Sequence, residues 1–172
     1  MQKALFLDRD GVINIEKDYL FKVDEFEFID GIFDLCSYYQ NKGYLIIVVT
    51  NQSGIARNYY SIDDFNTLTS WMISEFQRKN IKLSHVYFCP HHPDITGVCE
   101  CRKPKPGMLY KAKKEFNIDL VNSILVGDKE RDIESALNAG VRETYLFSEL
   151  IVPTKAMAIV HKLEDIYNVN TK

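Results

Sequence analysis

Short apolar runs alternate along this chain with longer stretches of helical periodicity. Residues 4–7, 45–49 and 124–126 are apolar without alternation, which is typical of strands buried on both faces of a parallel sheet. Helical patterns fill the stretches between them, and several end at or next to a glycine. Strands that alternate with helices at this spacing predict an α/β fold with one doubly wound, mostly parallel sheet.

The predicted elements can be placed along the whole chain. Ser61, with Asp64 three residues later, forms the capping-box pattern that begins the second helix. No repeat, low-complexity segment or linker interrupts the chain, so we expect a single domain over residues 1–172. The predicted strands are 3–7, 44–49, 85–88, 123–126 and 143–147, and the predicted helices are 31–41, 62–79, 106–116, 131–139 and, in the tail, 155–166.

Charge and hydropathy exclude several classes of partner. The formal net charge is −3, so no basic field favours nucleic acid or an anionic membrane. No segment reaches the ~18 apolar residues of a spanning helix. The first strand begins by Lys3 or Ala4, which leaves no room for a signal peptide. We expect a cytoplasmic protein, active as a monomer, with no nucleic-acid or membrane partner.

Polar side chains follow three of the predicted strands at the point where each strand ends. Because the carboxyl ends of parallel strands share one edge of the sheet, where ligands of open α/β sheets bind, these side chains should converge. Carboxylates suit Mg²⁺, whereas hydroxyl, amide and ammonium groups suit phosphate oxygens. The residues are Asp8 and Asp10 after the first strand, Thr50 and Asn51 after the second, and Asp128 and Lys129 after the fourth.

Three of the four cysteines lie in one short segment, residues 89–101. In a reducing compartment such clustering indicates metal binding rather than disulfides. Cys89, Cys99 and Cys101 with one imidazole would form the closed tetrahedral ligand set of a structural Zn²⁺. His91 and His92 both compete for the imidazole position, and reduced cysteines without metal are the remaining interpretation.

The order of these motifs carries a family resemblance that runs from Lys3 to about Phe147. DRDG, VVTNQSG, a lysine and VGDKxxD resemble the haloacid dehalogenase (HAD) superfamily of aspartate-nucleophile phosphatases. More narrowly, TNQSGIAR, CPHHP, CxCRKPxPGM and VGDK resemble the D-glycero-D-manno-heptose 1,7-bisphosphate phosphatases, whose nearest relatives are the histidinol phosphatases. The resemblance implies a Rossmann-like HAD fold. The stretches 12–30 and 55–61 are too short for a cap domain, so the site should be open.

The resemblance also implies catalytic roles. Asp8 would attack phosphorus and form an aspartyl-phosphate, while Asp10 would act as general acid and base. Thr50, Asn51 and Lys103 would stabilise the transferring phosphoryl oxygens, and Lys129 would orient Asp8 or contact substrate. Mg²⁺ would be held by Asp8, Asp10 (through its backbone carbonyl) and Asp128. Two interpretations of Asp132 remain: it tunes the metal site, or it lies at a solvated helix start.

The remaining ligands are implied by the same motifs. The motif match favours His91 over His92, which makes the zinc ligands Cys89, His91, Cys99 and Cys101. Zinc would then pin the loop that carries Arg102 and Lys103. The implied substrate contacts are Glu16, Lys17, Asp18, Tyr19, Thr50, Asn51, Gln52, Ser53, Arg102, Lys103 and Lys129.

The implied substrate is a small phosphorylated sugar. The activity would be hydrolysis of the 7-phosphate of D-glycero-β-D-manno-heptose 1,7-bisphosphate, in the synthesis of ADP-heptose for the lipopolysaccharide core. The alternatives are a histidinol-phosphate phosphatase and, from a different class, a non-catalytic zinc-stabilised binding module. An open site would also suit a nucleic-acid 3′-phosphatase, but the net negative charge of the chain disfavours binding to nucleic acid.

Overall fold

A single sheet of six strands organises the computed structural model, which describes residues 1–168. In chain order the strands are β1 (Ala4–Leu7), β2 (Leu45–Asn51), β3 (Leu83–Cys89), β4 (Ile124–Gly127), β5 (Glu143–Phe147) and β6 (Ala158–Val160). Across the sheet the order is β3-β2-β1-β4-β5-β6, and every neighbouring pair is parallel. The predicted doubly wound α/β fold is confirmed.

Helices cover both faces of the sheet. Because successive strand side chains point to opposite faces, Leu5 and Leu7 join one hydrophobic cluster, with α1 and α2, while Ala4 and Phe6 join the other, with α4 and α5. The capping box of Ser61 and Asp64 is formed, which confirms the predicted start of α2. The helices are α1 (Ile32–Asn41), α2 (Ile62–Arg78), α3 (Pro93–Thr96), α4 (Gly107–Phe116), α5 (Glu130–Ala139) and α6 (Asp165–Asn168).

The tail is the one place where the predicted element is wrong. Residues 155–166 were expected to form a helix, but Ala158–Val160 forms β6 and pairs with Tyr145, Leu146 and Phe147 of β5. Without β6, one edge of β5 would keep its backbone N–H and C=O groups unpaired. The β-branched side chains of Ile159 and Val160 suit a strand, and helix α6 begins only at Asp165.

The segment after β1, residues 12–30, leaves the carboxyl edge of the sheet open. It contains one 3-10 turn, Val23–Glu25, and buries Val12, Ile13, Leu20 and Phe26 against the domain. No inserted cap domain is present in residues 1–168. None of the helices in this part of the chain is long and apolar enough to cross a membrane.

Candidate active site and zinc site

A cleft of about 360 Å³ lies over the carboxyl ends of β1 and β2. Strand β1 lies between β2 and β4, at the point where the strand order reverses and where open α/β sheets bind ligands. Asp8 and Asp10 line the cleft, as expected of a reactive pair. Eight of the predicted substrate contacts also line it: Glu16, Asp18, Tyr19, Asn51, Gln52, Ser53, Arg102 and Lys129.

Three predicted contacts lie elsewhere. Lys17 is not among the lining residues, and its Nζ donates a hydrogen bond to the carbonyl of Glu25 at 2.7 Å. Thr50 and Lys103 are buried below the surface of the cleft. These two groups can support the residues that face a ligand.

A buried ion network joins Asp8 to Lys103 and Asp132. The Lys103 ammonium lies 3.0 Å from Asp8 Oδ1 and 2.8 Å from Asp132 Oδ1, and its side chain is 1% exposed. Burial acts to lower the pKa of Lys103, but the two carboxylates outweigh it and the net pKa lies above its usual value. Burial raises the pKa of Asp8, and the charge of Lys103 opposes that rise. Lys103 therefore stays cationic and compensates the buried carboxylates.

The position of Asp132 excludes one of its two interpretations. Asp132 is fully buried, so it is not a solvated helix start. Its Oδ2 accepts a hydrogen bond from the backbone N–H of Lys129 at 3.0 Å, and its Oδ1 contacts Lys103. Asp132 therefore positions Lys103 and the start of α5, and its place beside Asp8 and Asp128 also lets it tune a metal site.

Three carboxylates form a group that fits a hard cation. Oxygens of Asp8, Asp128 and Asp132 all lie within 4.8 Å of one another. Among the described residues, Asp128 Oδ1 is buried without a hydrogen-bond partner. Gly11 has φ +87°, and a Cβ there would lie 2.3 Å from Asp128 Oδ2, so only glycine leaves room for this carboxylate. An unsatisfied buried carboxylate oxygen beside two further carboxylates is the donor set that Mg²⁺ uses.

Neighbouring polar side chains connect the end of β2 to the segments that carry Lys103 and Asp10. The Asn51 side chain accepts from Lys103 N–H at 3.1 Å and donates to the Lys103 carbonyl at 3.2 Å. The Gln52 amide donates to Thr50 Oγ1 and to Asp10 Oδ2, both at 2.9 Å. The end of β2 is thereby linked by hydrogen bonds to both Lys103 and Asp10.

The cysteine segment forms the predicted cluster. Cys89 Sγ lies 3.6 Å from both Cys99 Sγ and His91 Nδ1, and Cys101 Sγ lies 3.2 Å from His91 Nδ1. All four ligand atoms lie within 4.8 Å of one another. The Sγ atoms of Cys89 and Cys101 lie 2.7 Å apart. With Zn–S bonds of about 2.3 Å, the ligand atoms of a zinc tetrahedron are ~3.5 Å apart, so the set fits Zn²⁺ once these two sulfurs separate slightly. His91, and not His92, belongs to the cluster.

Sequence reasoning missed several residues of the cleft. Arg57, Tyr60, His92 and Arg131 also line it. Arg57 Nη2 donates to His92 Nε2 at 2.9 Å, while Arg57 Nε is buried without a hydrogen-bond partner among residues 1–168. The TNQSGIAR motif contains this arginine, but only the folded loop after β2 shows that its side chain reaches the cleft.

The charges of the cleft are mixed, which suits an anionic substrate and a cation together. Lys129 Nζ lies 2.8 Å from Asp128 Oδ2, and this contact raises the pKa of Lys129. Although the Glu16 side chain is largely open to solvent, its partial burial, reinforced by Asp10 and Asp128, raises its pKa to about 7. Four cationic side chains line the cleft: Arg57, Arg102, Lys129 and Arg131.

Replacing Lys103 with Met should lower the free energy of unfolding by about 3–5 kcal/mol, because two buried carboxylates lose their counter-ion. Burial already raises the pKa of Asp8, and without the opposing charge of Lys103 it would rise further, so the folded state would bind more protons than the unfolded state and the loss would grow as pH rises. Urea denaturation at pH 5 and pH 8 measures both effects.

The matched control for this variant is Lys105→Met. Lys105 pairs with Glu100 at 2.7 Å in an exposed position, where an ion pair contributes at most ~1 kcal/mol. Equal losses in the two variants would contradict the assigned role of Lys103.

This chain is similar to known proteins of one enzyme family. A HAD-hydrolase-like family model matches residues 100–146. A D-glycero-α-D-manno-heptose-1,7-bisphosphate 7-phosphatase of Campylobacter jejuni is 53% identical over 147 residues, covering 86% of this chain and 83% of that protein. A D-glycero-β-D-manno-heptose-1,7-bisphosphate 7-phosphatase of Yersinia pestis is 46% identical over 143 residues, covering 80% and 76%.

A solved structure agrees with these relatives. It is the D,D-heptose 1,7-bisphosphate phosphatase from B. bronchiseptica, complexed with magnesium and phosphate, which is 27% identical and has a TM-score of 0.84 over 99% of both chains. Sequence identity, coverage and fold thus agree, and the chain belongs to the HAD family of phosphatases that contains the heptose-1,7-bisphosphate 7-phosphatases.

Proposed function

We propose that this protein removes the 7-phosphate from D-glycero-D-manno-heptose 1,7-bisphosphate in a Mg²⁺-dependent reaction. The observation that carries the substrate class is the 53% identity to the Campylobacter jejuni 7-phosphatase, over most of both chains. The four cationic side chains of the cleft support it, since a bisphosphate brings two anionic groups. We further infer a monomeric, cytoplasmic enzyme whose product enters ADP-heptose synthesis.

In the proposed mechanism the two aspartates have different tasks. Asp8 attacks phosphorus, a P–O bond forms to its carboxylate, and the bond to the sugar oxygen breaks as Asp10 donates a proton to that oxygen. In the second step Asp10 accepts a proton from water, which attacks the aspartyl-phosphate and releases phosphate. Before the reaction Lys103 lies 3.0 Å from Asp8 Oδ1, where its charge orients the nucleophile.

Metal ions would be held by the two ligand groups. Mg²⁺, bound by Asp8 and Asp128 with the Asp10 carbonyl, would offset the repulsion between the anionic nucleophile and the anionic ester. Zn²⁺ on Cys89, His91, Cys99 and Cys101 would have a structural role, because four protein ligands leave no open position for catalysis.

The anomer defines a second candidate substrate. The sequence motifs imply the β-anomer, and the Yersinia pestis relative carries that name. The Campylobacter jejuni relative, which is more similar to this chain, is named for the α-anomer. We therefore keep the α-anomer as the second candidate.

Phosphate release by the Mg²⁺-loaded protein tests the proposal. The α- and β-anomers of heptose 1,7-bisphosphate and histidinol phosphate should be compared by kcat/KM, and we expect loss of one phosphate and a preference of at least ~10²-fold for one heptose anomer, as a site built for specific contacts provides. A preference for histidinol phosphate would overturn the substrate. Absence of phosphate release from all three would overturn the proposed activity.

A further inference from the structure

We propose that Arg9, the residue between the two catalytic aspartates, positions the Asp10 carboxylate for proton transfer. This inference rests on the proposed function, in which Asp10 is the general acid and base. In the sequence, Arg9 is only the residue between the two aspartates of the DRD motif. Its burial in the structure indicates that the side chain has a role of its own. Its side chain is 1% exposed, whereas that of Asp10 is 18% exposed.

Arg9 holds both oxygens of Asp10. Arg9 Nε and Nη2 donate to Asp10 Oδ1 at 3.2 and 3.0 Å, and Nη2 also lies 3.1 Å from Oδ2. Neighbouring residues in an extended strand point their side chains to opposite faces. Here the backbone turns immediately after β1, with the N–H groups of Val12, Ile13 and Asn14 all directed to the Arg9 carbonyl. The turn brings the two adjacent side chains together.

The guanidinium is itself anchored to three other parts of the fold. Arg9 Nη2 donates to the Leu20 carbonyl at 2.9 Å and lies 3.4 Å from Gln52 Oε1. The guanidinium carbon lies 5.8 Å from the centre of the Phe65 ring in α2. A group fixed at several points cannot swing away, so it fixes the Asp10 carboxylate as well.

Each catalytic carboxylate therefore has its own buried cation. Lys103 lies 3.0 Å from Asp8, and Arg9 lies 3.0 Å from Asp10. Asp10 receives further hydrogen bonds from Asn14 at 3.1 Å and Gln52 at 2.9 Å. Two carboxylates one residue apart can act differently only if their environments differ. The planar, forked guanidinium fixes the orientation of the carboxylate that must deliver a proton, which the single ammonium of a lysine cannot do.

The leaving group of the substrate separates positioning from general stability. A sugar alkoxide needs a proton as it departs, whereas the p-nitrophenolate of p-nitrophenyl phosphate does not. Because kcat/KM reports only steps up to formation of the aspartyl-phosphate, the ratio of kcat/KM for the two substrates isolates the role of Asp10 as an acid. A merely structural change would lower both values together.

The decisive variant is Arg9→Lys, which keeps the charge and loses the fork. We expect kcat/KM for heptose 1,7-bisphosphate to fall about 10–100-fold, since a misplaced catalytic group loses that much, while kcat/KM for p-nitrophenyl phosphate falls less than ~3-fold. Equal losses, or no loss with the sugar substrate, would overturn the proposal.

Three further variants keep the test conclusive. Asp10→Asn should show the same selectivity, that is, a larger fall in kcat/KM for the sugar substrate than for p-nitrophenyl phosphate. If the two values fall equally, the acid role of Asp10 fails, and the Arg9 inference fails with it. If Asp10→Asn is selective and Arg9→Lys is not, only the Arg9 inference fails. If Arg9→Lys does not fold, Phe65→Leu can replace it, because this change removes the aromatic ring that contacts the Arg9 guanidinium. Phe76→Leu, in the same helix, is its control. A fall in kcat/KM that is larger for the sugar substrate than for p-nitrophenyl phosphate in Phe65→Leu, but not in Phe76→Leu, would support the proposal. The absence of that difference would overturn it.

Discussion

Asp8→Asn should abolish turnover, with a loss of at least ~10⁴-fold in kcat, because a side-chain amide cannot attack phosphorus. The fold should survive the change. Asn keeps an oxygen that can accept the hydrogen bond that Asp8 Oδ1 accepts from Arg9 N–H at 2.8 Å. Lys103 would still have Asp132 at 2.8 Å as its counter-ion, so we expect the free energy of unfolding to change by less than ~2 kcal/mol, below the cost of breaking a buried pair completely.

Phosphate release and urea denaturation of the same preparation would measure the two effects of Asp8→Asn. Asp24→Asn provides the control, since Asp24 is exposed in the 3-10 turn and does not line the cleft. Acid-quenched wild-type protein should carry a phosphoryl group that the variant lacks. Substantial turnover in Asp8→Asn would mean that another residue is the nucleophile.

Removal of zinc should cost both stability and activity. Tight binding to the folded state stabilises it by about 4 kcal/mol once the free metal exceeds the dissociation constant a thousand-fold, and zinc-free protein should lose at least that much. The cluster joins Cys89, at the end of β3, to Cys101, two residues before Lys103. Without zinc, the hydrogen bonds to the Asn51 side chain would remain to fix the Lys103 backbone. We expect kcat to fall ~10²-fold, as displacement of a catalytic group by about 1 Å does.

A zinc-selective chelator, with Mg²⁺ in excess in every sample, distinguishes the two metals. Cys101→Ser should reproduce the loss, and added Zn²⁺ should restore activity only to the chelated wild-type protein. Cys36→Ser is the matched control for zinc content, because Cys36 is buried in α1 away from the cluster. Zinc-free protein that stays folded with unchanged turnover would refute the link between the zinc loop and catalysis.

Most of the fold was predictable because its signals are local. The unbroken apolar runs of β1, β2 and β4 and the capping box of α2 each depend on a few neighbouring residues. The tail lacked such a signal. Whether Ala158–Val160 forms a helix or a strand depends on the free edge of β5, which exists only once the sheet has assembled.

The candidate site likewise contains residues that local sequence patterns indicate and residues that only the folded structure brings together. The cysteine and histidine cluster was predictable because three cysteines lie close together in the sequence, and the choice of His91 over His92 rested on the family resemblance. Arg57 and Arg131 were missed, because isolated charged residues are ordinarily solvated and nothing in their spacing shows that they line a cleft, and His92 was weighed only as a metal ligand.

The sequence by itself determined which groups are available for chemistry: two aspartates directly after a buried strand, a second acidic strand end at Asp128, and a set of cysteines and histidines able to bind a metal. Tertiary structure decided which charges meet. Lys103 reaches Asp8 and Asp132, and Arg9 turns back onto Asp10. Residue type and spacing establish what a group can do, but contacts between distant segments depend on how the helices and loops pack against the sheet.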